Sequence, residues 1–311
     1  MSKRSAAQVR SKKEMAKKLI KHHFGVAPKK IEFQTTGRTN FVFEVEVKNA
    51  EYVVRIAATR NKLQDFIKEQ WATEKAREIG VPVPEILEVG SEVISLPYML
   101  QEKINGEEAT NHPNRLDILE SLGNYARLVH SIPTSNFGKV FNWSKNRLSK
   151  NETWQEFLDE ELNIPEHLKF FQKQNILTPK NAKKLSALFE RARKLRVTPM
   201  LNHGDLRLKN VLVNETGKIV AIIDWENCTS CIAPYWDFSI ALHDLSIDGK
   251  QKFLEGYGVD FNEFNRMVWL IKAFNLVNYG NAVKKIVGEK DTAGIKFYSL
   301  RMNGYLDLFS I

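Results

Sequence analysis

The chain has 311 residues, of which 43% are hydrophobic and 27% charged, and its net charge is +9 at neutral pH. This length exceeds what one hydrophobic core usually holds, so we expect two lobes, and the composition excludes a disulfide-stabilised miniprotein. No apolar run approaches the roughly 18 residues of a membrane span, and the basic start lacks an apolar signal segment, so a cytoplasmic protein is expected.

The excess positive charge lies at the start of the chain. Residues 1–30 hold ten basic side chains and one acidic side chain, whereas the remaining residues are balanced in charge. Residues 1–12 are therefore expected to form a disordered basic tail, with RNA or membrane binding by this tail as the alternative. The neutral body argues against nucleic acid as the main partner, and no membrane or obligate protein partner is inferred.

The first hundred residues predict a sheet with one long helix in it. Helical spacing of apolar residues predicts a first helix over residues 14–24, stopped by Gly25. Alternation predicts a β-hairpin over residues 41–47 and 52–57, joined through residues 48–51 and preceded by a strand at 31–35. A helix over residues 61–79 and strands at 86–89 and 93–101 complete the set.

Beyond Gly106 the apolar pattern becomes mainly helical. The helices are expected at about 115–130, 153–162, 179–195 and 234–245, with several more toward the C-terminus. One short hairpin, over residues 211–213 and 218–223, interrupts them. The second part of the chain is therefore a mainly helical lobe.

Two acids and an amide flank that short hairpin. Asp205 lies in a His-Gly-Asp sequence five residues before Asn210, and Asp224 follows the second strand. A loop acid, an amide at the first strand and an acid after the second strand can meet at one point. Phosphoryl transfer needs such a set: a carboxylate to orient a hydroxyl and take its proton, and oxygen ligands for Mg²⁺.

The spacing His-Gly-Asp-x-x-x-x-Asn followed by Ile-Asp-Trp resembles the aminoglycoside phosphotransferase and choline kinase superfamily, which has a protein-kinase-like fold. Matching segments extend along most of the chain, from a phosphate-covering turn at residues 36–41 to a helix start at residues 234–237. The resemblance implies a bilobal α+β fold with a β-rich N-lobe over residues 13–102, which binds nucleotide. Residues 103–311 would then form a mainly helical, catalytic and substrate-binding C-lobe.

The resemblance also implies roles for individual residues. Asp205 would be the catalytic base, and Asn210 and Asp224 would hold Mg²⁺. Arg55 would contact the phosphates of ATP or GTP and pair with Glu69, or with Glu74 if the helix is shifted by one turn. The other residues expected at the nucleotide come from the phosphate turn and the interlobe hinge: Thr39, Asn40, Gln101, Glu102 and Ile104.

Several residues favour a structural interpretation or depart from the family pattern. His203 is expected to brace its loop, and Asp237 to order that loop or cap a helix. The phosphate turn has a single glycine, so backbone amides and polar side chains must hold the nucleotide, and Arg55 replaces the lysine of the wider kinase fold. Cys228 and Cys231 have no further cysteine with which to complete a zinc site, so we expect two reduced thiols.

The acceptor is expected to be a small hydroxylated molecule. Asp224 and Asp237 are only thirteen residues apart, which leaves no room for the long activation segment of a protein kinase. An aminoglycoside kinase that would confer antibiotic resistance leads, because acids before and after the catalytic loop could bind a polyamine, although a solvated helix face explains them equally well. These acids are Glu156, Asp159, Glu160, Glu161, Glu166, Asp237, Asp244 and Asp248. The alternatives are kinases of choline-like amines, homoserine, methylthioribose or sugars, a pseudokinase, or an RNA binder.

Overall fold

The computed structural model describes residues 5–35, 40–139, 141–142, 147–148, 151–243 and 245–308. In the first part of the chain the elements are α1 (Ala6–Phe24), β1 (Lys30–Gln34), β2 (Asn40–Val47), β3 (Ala50–Ala57), α2 (Leu63–Glu78), β4 (Ile86–Gly90), β5 (Tyr98–Glu102), β6 (Glu107–Glu108), α3 (Arg115–Val129), β7 (Phe141–Asn142) and β8 (Arg147–Leu148). There follow α4 (Trp154–Glu156), α5 (Ile164–Lys173), α6 (Pro179–Arg193), β9 (Pro199–Asn202), β10 (Val211–Val213), β11 (Ile219–Ile222), β12 (Thr229–Ile232), α7 (Tyr235–Ala241), α8 (Ile247–Tyr257), α9 (Phe261–Asn278), α10 (Gly280–Gly288) and α11 (Thr292–Leu308).

The chain forms two units. The first is rich in strands and the second is mainly helical, which agrees with the α+β class that the sequence predicts. The first contains the described residues that fall within 1–113, 140–146 and 208–228, and the second contains those within 114–139, 147–207 and 229–311. This division differs from the predicted boundary between residues 102 and 103. Strand β6 pairs with β10, which in turn pairs with β11, and this pairing places the short hairpin with the N-terminal residues.

The first helix begins earlier than the sequence analysis predicts. It starts at Ala6, because Ser5 Oγ accepts a hydrogen bond from the Gln8 amide at 3.2 Å and Gln8 Oε1 accepts one from the Ser5 amide at 3.0 Å. This capping box satisfies amides that would otherwise lack partners, so the prediction of a disordered tail over residues 1–12 is wrong from Ser5 onward. Residues 1–4 lie outside the described part. The helix ends at Gly25 in the left-handed conformation, as predicted.

The first unit is built on an antiparallel sheet in the order β1-β2-β3-β5-β4. Its inward-facing side chains, including Phe43, Val54 and Ile56, pack with Leu19 and Ile20 of α1 in one core. The β2–β3 turn is two residues shorter than predicted, because Lys48 adopts a positive φ of 56° and closes the hairpin after two residues. Strand β5 begins at Tyr98 rather than Val93.

The second unit is mainly helical. Helices α3 and α8 pack so closely that a Cβ on Gly256 would lie 1.8 Å from the carbonyl oxygen of Glu120. Strand β9 pairs antiparallel with β12, and the two strands support the segments that follow them, residues 203–207 and helix α7. Residues 157–161 form one π-helical turn within the segment expected to be a regular helix over 153–162. No helix in the described part of the chain is long and apolar enough to span a membrane.

The buried His167 makes the stability of the second unit depend on pH. Its Nδ1 donates to the Leu162 carbonyl oxygen at 2.9 Å, and its Nε2 has no partner among the described residues. Burial, with a smaller contribution from the charge of Lys284, lowers the pKa of His167. The unfolded chain therefore binds more protons than the folded protein between the two pKa values.

We expect the free energy of unfolding to decrease as pH falls below about 6.5, the pKa of an unperturbed histidine. One such group can change it by at most about 1.4 kcal/mol per pH unit. Urea unfolding at pH 7.5 and 5.5 measures the effect, and His167→Gln should reduce the difference between the two pH values, whereas His22→Gln on the exposed face of α1 should not. An unchanged difference in His167→Gln would contradict this assignment.

Candidate active site

The first unit brings Arg55 and Glu69 together. Arg55 lies on β3, and its guanidinium donates to a carboxylate oxygen of Glu69 on α2; the two side chains are 12% and 4% exposed. The Arg55 guanidinium also lies 5.4 Å from the centre of the Phe66 ring. The structure thus forms the pair that the resemblance implies, with Glu69 rather than Glu74, while a role of Arg55 at nucleotide phosphates stays a prediction.

Several carboxylates influence the pKa of Arg55. Burial by itself would lower its pKa, but the carboxylates of Glu69, Asp224 and Glu226 outweigh burial and raise the pKa. The guanidinium is thus held charged at one place by Glu69. Its fork of donors can then meet phosphate oxygens without the loss of entropy that a mobile side chain would suffer.

The predicted metal ligands Asn210 and Asp224 lie at the same end of the β10–β11 hairpin. Val211 is paired with Ile222, and the Ile223 amide donates to the Asn210 carbonyl oxygen at 2.9 Å. Asn210 is 5% exposed, and Asp224 adopts a left-handed φ of 65°. An amide oxygen and a carboxylate in adjacent positions fit Mg²⁺, which prefers oxygen ligands and takes few of them from the protein.

Among the described residues, no group of three or more His, Cys, Asp or Glu is placed to hold a metal ion.

Lys68 is a residue of this unit that the sequence analysis missed. It is 1% exposed on α2, and its Nζ donates at 2.8 Å to the Glu226 carbonyl oxygen. Glu226 lies in the turn Trp225–Asn227 directly after Asp224. Helix α2 thus fixes Arg55 through Glu69 and the turn after Asp224 through Lys68. The bond spans 158 residues, so no local pattern could have shown it.

We expect Lys68→Met to weaken metal-dependent nucleotide binding by at least about tenfold, the usual effect of losing a group that orients a metal ligand. Methionine keeps the length of the side chain but removes the hydrogen bond from Lys68 to the Glu226 carbonyl oxygen. Titration of a fluorescent nucleotide with and without Mg²⁺ separates the effect on metal-dependent binding from the effect on binding of the nucleotide alone. Lys75→Met on the same helix is the control. Equal losses with and without the metal would show that Lys68 supports the fold only.

The second unit holds Asp205 in a loop that Asp237 orders. One Asp237 oxygen accepts from the His203 amide at 2.7 Å and the other from the Gly204 amide at 2.8 Å. The Asp205 amide in turn donates to Nδ1 of His203 at 3.2 Å. His203 and Asp237 therefore make the structural contacts that the sequence analysis predicts, and the loop presents Asp205 from a fixed backbone.

Asp237 is fully buried, yet its pKa lies below the ordinary value of a carboxyl group. Burial by itself would raise this pKa, but a hydrogen bond from His130 Nε2 at 3.0 Å, electrostatic interactions with His130 and His203, and the Gly204 amide lower it. His130 follows the last residue of α3 and is itself buried. The charged form of Asp237 is the form that can accept from two amides at once, so the loop geometry depends on it.

Arg207 contacts the predicted base directly, and the sequence analysis missed it. Its Nε donates to Asp205 Oδ1 at 2.6 Å, and the Arg207 side chain is 40% exposed, against 10% for Asp205. A guanidinium in this position restricts the rotamer of the carboxylate. Its exposed side remains accessible to an anionic group of a ligand.

The other residues predicted to contact the nucleotide lie at the end of β5, at the start of β2 and in the phosphate turn. Gln101 and Glu102 form the end of β5, where the Glu102 amide donates to the Glu85 carbonyl oxygen at 2.8 Å, and Ile104 follows the strand. Asn40 is buried at the start of β2. Thr39 lies outside the described residues, as does most of the expected phosphate turn.

Most of the acids proposed to bind a polyamine have structural partners. Glu156 belongs to the capping box of Thr153, and Asp159 pairs with Arg193. Glu161 accepts from the Lys139 amide at 2.9 Å, and Glu166 accepts from Asn163. Glu160 is exposed and has no partner in the described part of the chain. Cys228 and Cys231 are both buried and form no disulfide bond with each other, in agreement with the expectation of two reduced thiols.

Solved structures of aminoglycoside phosphotransferases share this fold. APH(4)-Ia superimposes with a TM-score of 0.70 at 16% identity over 96% of this chain and 99% of its own. Its thermostable mutant in a ternary complex with AMP-PNP and hygromycin B gives 0.70 at 16% identity, over 95% and 98% of the two chains. The GDP complex of aminoglycoside 2′-phosphotransferase IIIa gives 0.66 at 15% identity, over 93% and 96%. These identities establish likeness of fold.

No curated protein matches the sequence. The family model of the phosphotransferase enzyme family, by contrast, matches residues 30–269. This range includes Arg55, Glu69, Asn210 and Asp224 of the first unit and Asp205 and Asp237 of the second. The chain therefore belongs to the phosphotransferase enzyme family and is a small-molecule phosphotransferase.

Proposed function

We propose that the protein transfers the γ-phosphoryl group of ATP or GTP to a hydroxyl of an aminoglycoside-like molecule. The observation that carries this proposal is the loop around Asp205, held by Asp237, in a member of a phosphotransferase family. A carboxylate fixed in this way can orient a hydroxyl. Structures of similar fold contain AMP-PNP with hygromycin B, or GDP, which supports a nucleotide donor and an aminoglycoside acceptor.

In the proposed reaction the oxygen of the acceptor hydroxyl attacks the γ-phosphorus, and Asp205 accepts the proton of that hydroxyl. The bond from that phosphorus to the β,γ-bridging oxygen breaks, and the nucleoside diphosphate leaves. Arg55, fixed by Glu69, would hold phosphate oxygens of the nucleotide. Asn210 and Asp224 would hold Mg²⁺, which when bound neutralises the charge on the phosphates.

The acceptor could instead be another small metabolite, such as a choline-like amine, homoserine, methylthioribose or a sugar. The structural partners of Glu156, Asp159, Glu161 and Glu166 favour this alternative, since those carboxylates already serve the fold. The loop contacts of Asp205 argue against a pseudokinase, because an ordered base would have no use there.

A panel of acceptors tests the proposal. Purified protein with ATP or GTP and Mg²⁺ is incubated with aminoglycosides, amino alcohols and sugars, and mass spectrometry detects a gain of one phosphoryl group. Phosphorylation of an aminoglycoside, together with raised resistance of cells that express the wild type but not Asp205→Asn, is the expected result. Transfer only to a metabolite supports the alternative, and nucleotide binding without transfer to any acceptor contradicts both.

A further inference from the structure

The second unit contains a cavity of about 600 Å³ that the proposed reaction does not use. It lies at the N-terminal end of β9, with Met200 in its wall, whereas Asp205 follows the C-terminal end of that strand. The end of α6, the start of α7 and the first turns of α9 form its other walls. Small-molecule sites usually measure about 300 to 1,000 Å³, so the cavity has the size of a ligand site.

The charged groups in this cavity are mostly positive. Arg191, Arg196 and Arg266 line it, together with a single acid, Glu263. Glu263 already accepts a hydrogen bond from the Tyr235 hydroxyl at 2.9 Å. Arg196 and Arg266 are exposed and have no ion pair with any described residue. Because the cavity has three guanidinium groups and its one carboxylate is already hydrogen-bonded, it favours an anionic ligand.

One of these arginines is held in place before any ligand arrives. The Arg191 guanidinium lies 4.2 Å from the centre of the Trp269 ring, on which it stacks. Trp269 is 1% exposed, and its Nε1 has no acceptor within the described residues. Stacking leaves the edge of the guanidinium available, so Arg191 can bind an anion with little further ordering.

Most of the remaining lining is apolar. Leu195, Met200, Ile232 and Met267 all contribute to the walls. A free inorganic ion would leave this surface uncovered, whereas an anion that carries a short apolar chain would bury it. We propose that this cavity, which we call the arginine cavity, binds a small anion with an apolar body, its charged group at Arg191, Arg196 and Arg266.

Hexyl phosphate is a suitable probe, compared with inorganic phosphate and with hexanol at equal concentrations. We expect hexyl phosphate to bind at about millimolar concentration or tighter and at least about tenfold more strongly than either control compound. The indole N–H signal of Trp269 in a nitrogen–proton correlation spectrum is a local readout, and Trp269→Phe assigns it among the six tryptophans. This signal should shift with hexyl phosphate while nucleotide and Mg²⁺ are also present.

The double variant Arg196→Gln/Arg266→Gln should weaken binding of hexyl phosphate at least about tenfold. Lys183→Gln/Lys194→Gln is the matched control, because it removes two positive charges from α6 and its C-terminal end without touching the cavity. Unchanged affinity in the arginine variant, or an equal loss in the lysine variant, would overturn the proposal. Equal binding of inorganic phosphate and hexyl phosphate would also overturn it, since the apolar walls would then take no part.

Discussion

Replacement of Asp224 is expected to reduce kcat by at least about 10³-fold, the scale on which loss of a charge-stabilising group slows phosphoryl transfer. Asp224 carries the only carboxylate of the proposed Asn210–Asp224 pair. Because its φ of 65° lies in the left-handed region, Asp224→Asn is a better variant than Asp224→Ala: asparagine tolerates this conformation, and only the charge is lost. Initial rates over a range of Mg²⁺ concentrations measure the effect.

Asn210→Ala should be severe but less complete, since water can replace one amide oxygen. Glu215→Ala, on the exposed turn of the same hairpin, is the matched control and should behave as the wild type. The melting temperature of each variant must stay near that of the wild type. Equal rates with Mg²⁺ and with EDTA would remove the metal role from both Asn210 and Asp224.

Asp205→Asn is expected to lower kcat by about 10² to 10⁴ and to change the nucleotide Kd by less than about tenfold. The substitution keeps the size of the side chain but removes the carboxylate that takes the proton of the hydroxyl. Nucleotide affinity should survive because the residues proposed to hold the nucleotide, Arg55 among them, belong to the first unit. Steady-state kinetics and nucleotide titration on one preparation measure both quantities.

Arg207 supplies the control for this experiment. Arg207→Gln removes the guanidinium that fixes the Asp205 carboxylate but leaves the proposed base in place, so its effect on kcat should be smaller than that of Asp205→Asn. Turnover of Asp205→Asn within a few fold of the wild type would mean that Asp205 is not the base. Collapse of nucleotide affinity together with kcat would mean that Asp205 serves the metal instead.

The elements that the sequence predicted well are those with a strong local signal. The alternation in β2 and β3, the stop of α1 at Gly25 and the apolar periodicity of α3 each depend on neighbouring residues. Boundaries were less predictable. The capping box at Ser5 extends α1 by about two turns beyond the predicted start at residue 14, and a π-helical turn at residues 157–161 interrupts the helix predicted over 153–162.

The amino-acid sequence by itself predicted the family and the fold class, and it proposed Asp205, Asn210 and Asp224 as site residues, because the spacing of these residues along the chain is itself the signal. Only the tertiary structure decided which side chains support them. The bonds from Lys68 to the Glu226 carbonyl oxygen and from the His203 amide to Asp237 join positions 158 and 34 residues apart. Such contacts form only when whole elements pack together. Periodicity and spacing are local patterns, so they cannot predict these contacts.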